Sequence, residues 1–320
     1  MNSPNPIQIG IVEFPESIKS AIYGLSEMLE IADNLCLELD VDCRFSTAIL
    51  SCHQLPEKRF SAILIPPFRA GCSFEHIDSR IINWLQQQHK QGAILTSACA
   101  GAFILAATGI IGNRSVTTHW RLNTFFEKQF PNIQLDTNAL LIHHGDIITA
   151  GGMMSWVDLG LELVLQFSNS EVMRQLGKAL VVDTAPREQQ YYQQFRPSYS
   201  HGDQTIITVQ QSIQQDFMNS LTITALAENA NLTPRTIQRR FVKATGLTPK
   251  EYIQRVRIQK VCDLLETTND SFEYIANQVG YDDVGTCRRA FCKIMGLQPS
   301  QFRARFFRDP KHLRYKPAIT

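Results

Sequence analysis

A chain of 320 residues has room for two domains of ordinary size. Its hydrophobic share of 44% is enough for real cores, which excludes a disordered chain. The net charge of +1 hides an asymmetry: residues 1–203 carry 14 Lys and Arg against 20 Asp and Glu, whereas residues 204–320 carry 17 against 10. A basic segment behind an acidic one suggests that the second part meets a polyanion.

In chain order, Ile7 to Val12 reads as a strand, and Ser20 to Leu37 carries apolar residues at helical spacing. Phe45 to Leu50 and Ala62 to Ile65 are apolar runs of strand length, and Ile77 to His89 is helical. The run between Lys90 and Arg114 holds no charge and is long enough to span a membrane. Gly92, Thr96, Ser97, Gly101, Gly109 and Gly112 interrupt it, so a buried strand over Ala93 to Thr96 turning into a helix from Gly101 explains it better. Val116 to Thr118 and Ile147 to Thr149 are further strand candidates, and Met154 to Gln166 is a strongly apolar helix. Strands alternating with helices predict a parallel sheet with helices on both faces. From about Thr184 the composition turns to Gln, Tyr, Arg, Pro and Ser without a period, which reads as a partly extended linker.

The rest is helical and contains a repeat. Leu226 to Pro249 and Ile275 to Pro299 align at an offset of 50, pairing Arg239 with Arg289, Phe241 with Phe291, Gly246 with Gly296 and Pro249 with Pro299. The second copy has one extra residue in its turn. Each copy has the parts of a helix-turn-helix: a small residue (Ala227, Ala276) at the crossing, an N-cap (Thr233, Asp283), an aromatic anchor and a C-terminal glycine. Pro249 to Glu266 is long enough for one helix connecting the copies. The second helix of such a unit enters the major groove. On that basis Arg235, Gln238 and Arg239 of the first copy, and Val284, Gly285, Arg288 and Arg289 of the second, are the candidate base-contacting residues. Arg suits guanine and Gln suits adenine through paired hydrogen bonds. Thr233, Arg240, Lys243, Lys260 and Lys293 are the candidate phosphate contacts.

These residues carry a resemblance. Arg239-Arg240-Phe241, Gly246 to Pro249, Ile275-Ala276, Gly280-Tyr281, Arg289-Ala290-Phe291 and Gly296 to Pro299 resemble the DNA-binding domain of the AraC/XylS regulators, with Cys287 where a larger apolar residue is usual. The resemblance implies two tandem units in successive major grooves of promoter DNA, with RNA polymerase as a further partner.

In the first part, Cys99 lies between a strand and a helix, the position of a nucleophile elbow, with His119 as its candidate partner base. Cys99 with Gly101, Thr117 to Trp120, Gly151-Gly152 and Asp158 to Leu161 resemble the ThiJ/PfpI branch of the class I glutamine amidotransferase-like fold. The order of the two halves resembles GlxA-type regulators. That resemblance implies a doubly wound, flavodoxin-like α/β sensor domain which forms a homodimer and takes a small-molecule effector. Two departures weaken an enzymatic reading. Ala21 stands where catalytic relatives carry an acid, and Leu25 where they carry proline. Pro66-Pro67 stands where a Gly-Gly often supplies oxyanion donors, and proline has no N–H to give. Glu13 or Glu16 is the candidate substitute for the missing acid, and sequence alone does not place either. Cys99 and His119 are therefore read as vestigial or as part of a ligand pocket; a purely structural Cys99 and a cysteine-dependent hydrolase or amidase with an appended DNA-binding module stay open.

Eight cysteines without a CxxC pair do not form a zinc pattern, and His143-His144 lacks a third ligand at useful spacing. No metal and no cofactor is expected. Residues 1–14 lack the pattern of a secretory signal, so a bacterial cytoplasm, at the nucleoid, is the expected place. The expected organisation is an α/β domain over 6–183, a linker over 184–204, an all-α domain with two helix-turn-helix units over 205–308 and a tail over 309–320.

Overall fold

A computed structural model describes residues 6–69 and 77–308. Cys72 and the tail at 309–320 lie outside the described residues. The chain forms two compact units that meet in sequence between Gln190 and Tyr191.

The first unit is a six-stranded sheet with helices on both faces. Its strands are β1 (Ile7–Glu13), β2 (Phe45–Ser51), β3 (Ala62–Ile65), β4 (Ile94–Ala98), β5 (Leu141–His143) and β6 (Ile147–Ala150), in the order β2-β1-β3-β4-β6-β5. All pairings are parallel except the edge pair β5–β6. Every residue of β3 and β6 is buried, because a central parallel strand is covered on both sides and leaves no polar face. Helices α1 (Lys19–Glu38), α5 (Trp156–Phe167) and α6 (Ser170–Leu180) cover one face, packing Ile22, Leu25, Met28, Leu159, Leu163 and Leu176 against Ile9, Ile11 and Leu64. Helices α2 (Ser79–Lys90), α3 (Gly101–Ala107) and α4 (Asn123–Gln129) cover the other, with Trp84, Leu85, Phe103 and Phe126 against Ile63, Ile65 and Leu95. The uncharged run after Lys90 is β4 followed by α3, and no helix among the described residues is long and apolar enough to cross a membrane.

The expected strand at Val116 to Thr118 is not one. Val116 makes a single bridge to Leu135, and the two threonines that follow form a buried, irregular segment. Their polar groups are held by groups distant in sequence: Thr117 N donates to Thr149 Oγ1 at 3.0 Å, and Thr118 Oγ1 donates to the Cys99 backbone carbonyl at 2.7 Å. Such partners replace a ladder without leaving buried groups unpaired.

Residues 184–204 divide between the two units. Arg187 and Gln189 are tied to the first, whereas Tyr191 joins the core of the second. The second unit comprises α7 (Gln204–Asp216), α8 (Ile223–Asn229), α9 (Pro234–Thr245), α10 (Pro249–Thr267), α11 (Phe272–Gln278), α12 (Val284–Met295) and α13 (Pro299–Phe306). Its two cores are joined by α10. Tyr252, Ile253 and Val256 pack with the first repeat, and Ile258, Val261, Cys262 and Leu265 with the second. One continuous helix therefore fixes the two repeats to each other.

Candidate nucleic-acid interface and the Cys99 elbow

The duplication extends to side-chain geometry. Both α9 and α12 have 12 residues, begin at a side-chain N-cap and end at a left-handed glycine, Gly246 at φ 72° and Gly296 at φ 70°. Thr233 Oγ1 accepts from Thr236 N, and the Asp283 carboxylate accepts from Gly285 N and Thr286 N. Each cap satisfies N–H groups that the first turn leaves without partners. Phe241 stands edge-on to Tyr252 at 5.1 Å and 84°, and Phe291 edge-on to Phe302 at 5.4 Å and 89°. The two helices are thus seated by the same aromatic contact.

The outward face of α9 carries Arg235, Gln238 and Arg239, all exposed, and neither arginine has a partner among the described residues. Spacings of three and four residues put them on one stripe. At the same positions α12 carries Gly285, Arg288 and Arg289. Arg289 is 75% exposed and held over the first turn, donating to Thr286 Oγ1 at 2.8 Å with Asp283 at 3.5 Å. Arg288 lies 5.1 Å over the Phe272 ring. Val284 and Gly285 are half-buried at the helix start. Thr233, Lys243 and Lys293 are exposed.

Two of the expected phosphate contacts are placed differently. Arg240 is half-buried and holds Asp203, the N-cap of α7, through bonds of 2.6 and 2.9 Å. That guanidinium keeps the Asp203 carboxyl below its ordinary range. Lys260 on α10 is also half-buried, 5.9 Å over the Phe217 ring and 3.8 Å from Asp263. Both side chains already have partners within the second unit. Asp203 and Phe217 flank α7, far in sequence from Arg240 and Lys260, so sequence reading had no sign of them, whereas Asp263 lies three residues beyond Lys260 on α10.

In the first unit, β4 runs into α3 through Cys99, which has a left-handed backbone at φ 53°. This is strained for a residue with a Cβ. Gly101 makes the turn possible, since a Cβ there would sit 2.7 Å from the Ile65 carbonyl oxygen. The elbow geometry is therefore intact. Cys99 is only 5% exposed, and burial pushes its pKa up to about 11. His119 is turned to its own loop, where Nδ1 accepts from Arg121 N at 3.1 Å and the ring stacks on Trp120. Burial, and then the Arg121 charge, lowers its pKa. No hydrogen bond joins it to Cys99 among the described residues. Ala21 is fully buried, Glu13 pairs with Lys19 and Glu16 is exposed, and neither acid has a hydrogen bond to Cys99 among the described residues. His143 pairs with Glu162 at 2.8 Å, and His144 bonds the Ser115 carbonyl at 2.8 Å.

Comparison with known proteins matches the two units separately. The DJ-1/PfpI family matches residues 34–166, and a helix-turn-helix domain family matches residues 226–305. The HTH-type transcriptional regulator CdhR of Pseudomonas aeruginosa is 25% identical, the match covering 70% of this chain and 67% of that protein. The HTH-type transcriptional regulator GlxA of Rhizobium meliloti is 23% identical over 69% of this chain and 68% of that protein. The MmsAB operon regulatory protein of Pseudomonas aeruginosa is 35% identical, over 27% of this chain and 28% of that protein.

The chain is a DNA-binding transcriptional regulator, a DJ-1/PfpI domain followed by an AraC-type helix-turn-helix domain.

In this regulator the most informative residue missed by sequence reasoning is Gln189. It sits in an aperiodic, glutamine-rich stretch, yet its side chain is 2% exposed and makes hydrogen bonds beside the elbow. Only its departure from the surrounding composition, next to the domain boundary, could have hinted at it, and that signal is weak. The regulator's elbow also has a direct chemical test. A thiol ionising at about 11 is ~0.1% thiolate at pH 8. Iodoacetamide at pH 8 is expected to label the half-buried Cys292 well before Cys99, and the Cys99 rate is expected to keep rising beyond pH 10. Preferential labelling of Cys99 at neutral pH, followed by peptide mass analysis, would contradict this.

Proposed function

We propose that the regulator reads a specific operator by placing α9 and α12 in successive major grooves. Arg235, Gln238 and Arg239 contact bases in one groove, and Arg288 and Arg289 do so in the next, with Val284 and Gly285 close to the base edges. Thr233, Lys243 and Lys293 contact phosphate. The observation that carries this reading is the pair of equivalent helices, each capped and seated alike, with exposed arginines at the same position. Gly285, where the first copy has Arg235, lets the backbone of α12 come nearer to a base or a thymine methyl than α9 can.

The first unit then serves as sensor and homodimerisation domain, acting without catalysis. A buried thiol with a raised pKa, and no hydrogen bond from an imidazole to it among the described residues, supports that over a thiol hydrolase. Operator occupancy is communicated to RNA polymerase in the cytoplasm, at the nucleoid. Lys243→Ala and Lys293→Ala test the electrostatic part. Each is expected to weaken binding to all duplexes alike and to reduce the slope of log affinity against log salt by about 1. A loss confined to one sequence, with an unchanged slope, would remove those lysines from the backbone contact.

A further inference from the structure

The last residues of the first unit are built into it. Arg187 clamps Asp158 through Nε at 3.0 Å and a terminal nitrogen at 2.8 and 2.6 Å. Two residues on, Gln189 N donates to the Asn138 carbonyl at 2.9 Å, and the side chain enters a closed polar niche. Its Nε2 donates toward Thr117 Oγ1 at 2.9 Å, the Thr118 carbonyl at 2.9 Å and the Ala139 carbonyl at 3.1 Å. Its Oε1 accepts from Trp120 N at 3.3 Å. Gly151 completes the niche, because a Cβ there would overlap the Gln189 amide. Thr118, whose carbonyl forms one wall, also donates through Oγ1 to the Cys99 carbonyl at 2.7 Å. The niche therefore borders the elbow.

We propose that this niche is a primary-carboxamide site, filled in the structure by the chain's own Gln189, and that a free carboxamide effector binds by displacing it. The proposal rests on the sensor reading of the first unit and names the ligand class. Three oxygens gathered around one position, facing a single backbone N–H, match an NH₂ and a C=O held in one plane. A carboxylate would set one oxygen against two carbonyl oxygens and a hydroxyl whose hydrogen is already given to the Ala139 carbonyl at 2.9 Å, leaving the Trp120 N–H as its one donor, and burying it there is costly. A tertiary amide has no hydrogen to give. Because Gln189 lies two residues before the second unit begins, displacing it frees the segment that leads to the DNA-binding domain.

The test uses the full-length protein with propionamide, propionate and N,N-dimethylpropionamide as probes. In wild type, propionamide is expected to accelerate tryptic cleavage after Arg187, and the other two are not. Gln189→Ala empties the niche, so propionamide is expected to bind this variant at least about tenfold more tightly than wild type, since competition with the internal amide is gone. Adding Gly151→Ala to that variant should abolish the binding. Should Gln189→Ala fail to fold, the wild-type cleavage assay decides alone. Cleavage unaffected by propionamide, or accelerated equally by propionate, makes Gln189 a purely structural latch and overturns the proposal. Selective acceleration with unchanged DNA affinity supports the site and removes the sensor reading instead.

Discussion

Phe291→Ala is expected to lower the stability of the DNA-binding unit by about 3–5 kcal/mol, and Phe241→Ala by a similar amount. Both rings are fully buried, and each meets an aromatic residue of the following helix edge-on. Truncation removes that contact and leaves a cavity in a core which α10 links to its twin. Since domain stability is typically about 5–15 kcal/mol, such a loss approaches the whole margin. The chain supplies its own control. Its 3 tryptophans, Trp84, Trp120 and Trp156, all lie in the first unit, so their fluorescence reports that unit and circular dichroism reports both. In urea, the variants should shift the dichroism transition of the second unit to lower denaturant while the tryptophan transition stays in place. Tryptophan and dichroism transitions moving together would show that the two units unfold as one.

Gly280→Ala is expected to be clearly more damaging than Gly246→Ala. Gly280 turns the chain from α11 toward α12 at φ 87°, and a Cβ there would overlap the Met218 backbone carbonyl. The left-handed backbone costs a non-glycine residue about 1–2 kcal/mol. Overpacking against backbone adds about 1–3 kcal/mol. Gly246 separates the two contributions: it is also left-handed, at φ 72°, but has open space around its Cβ position. Gly246→Ala should therefore show the conformational cost alone, and Gly280→Ala clearly more. Equal losses in urea denaturation would mean that the Met218 contact yields freely. In the first repeat the corresponding turn uses Asn231 at φ 52°, a residue type that tolerates this region better than most.

The parts legible in the sequence were those whose causes are local. Caps such as Thr233 and Asp283, the glycines at helix ends and the fully apolar strands β3 and β6 each have a short-range mechanism. The repeat added a second, independent copy of the same signals, which is why α9 and α12 fall at the expected offset. Helix α6 was equally local, with Asn169 capping Glu171 and Val172 and with Val172 and Leu176 buried on one side, yet sequence reading placed no element there. Other features were not local. Thr117 and Thr118 read as a strand by residue type but are held by Thr149 and Gln189 from elsewhere in the chain. The free or engaged state of a cation could not be read either: Arg239 and Arg240 are neighbours in sequence, but one points to solvent and the other is bonded to Asp203. At the elbow, sequence supplied the position of Cys99, whereas its protonation depends on burial set by the whole core.

The two-groove reading is tested most directly by selecting bound duplexes from a random pool with wild type, Arg239→Ala and Arg289→Ala at one fixed salt concentration. Each good Arg–guanine contact should discriminate by about 1–3 kcal/mol. Wild type should select a site with two conserved blocks about 10 base pairs apart, one helical turn. Arg239→Ala should lose preference in one block and Arg289→Ala in the other, with overall affinity for unrelated duplexes little changed. Both variants selecting the wild-type site with wild-type affinity would contradict the account.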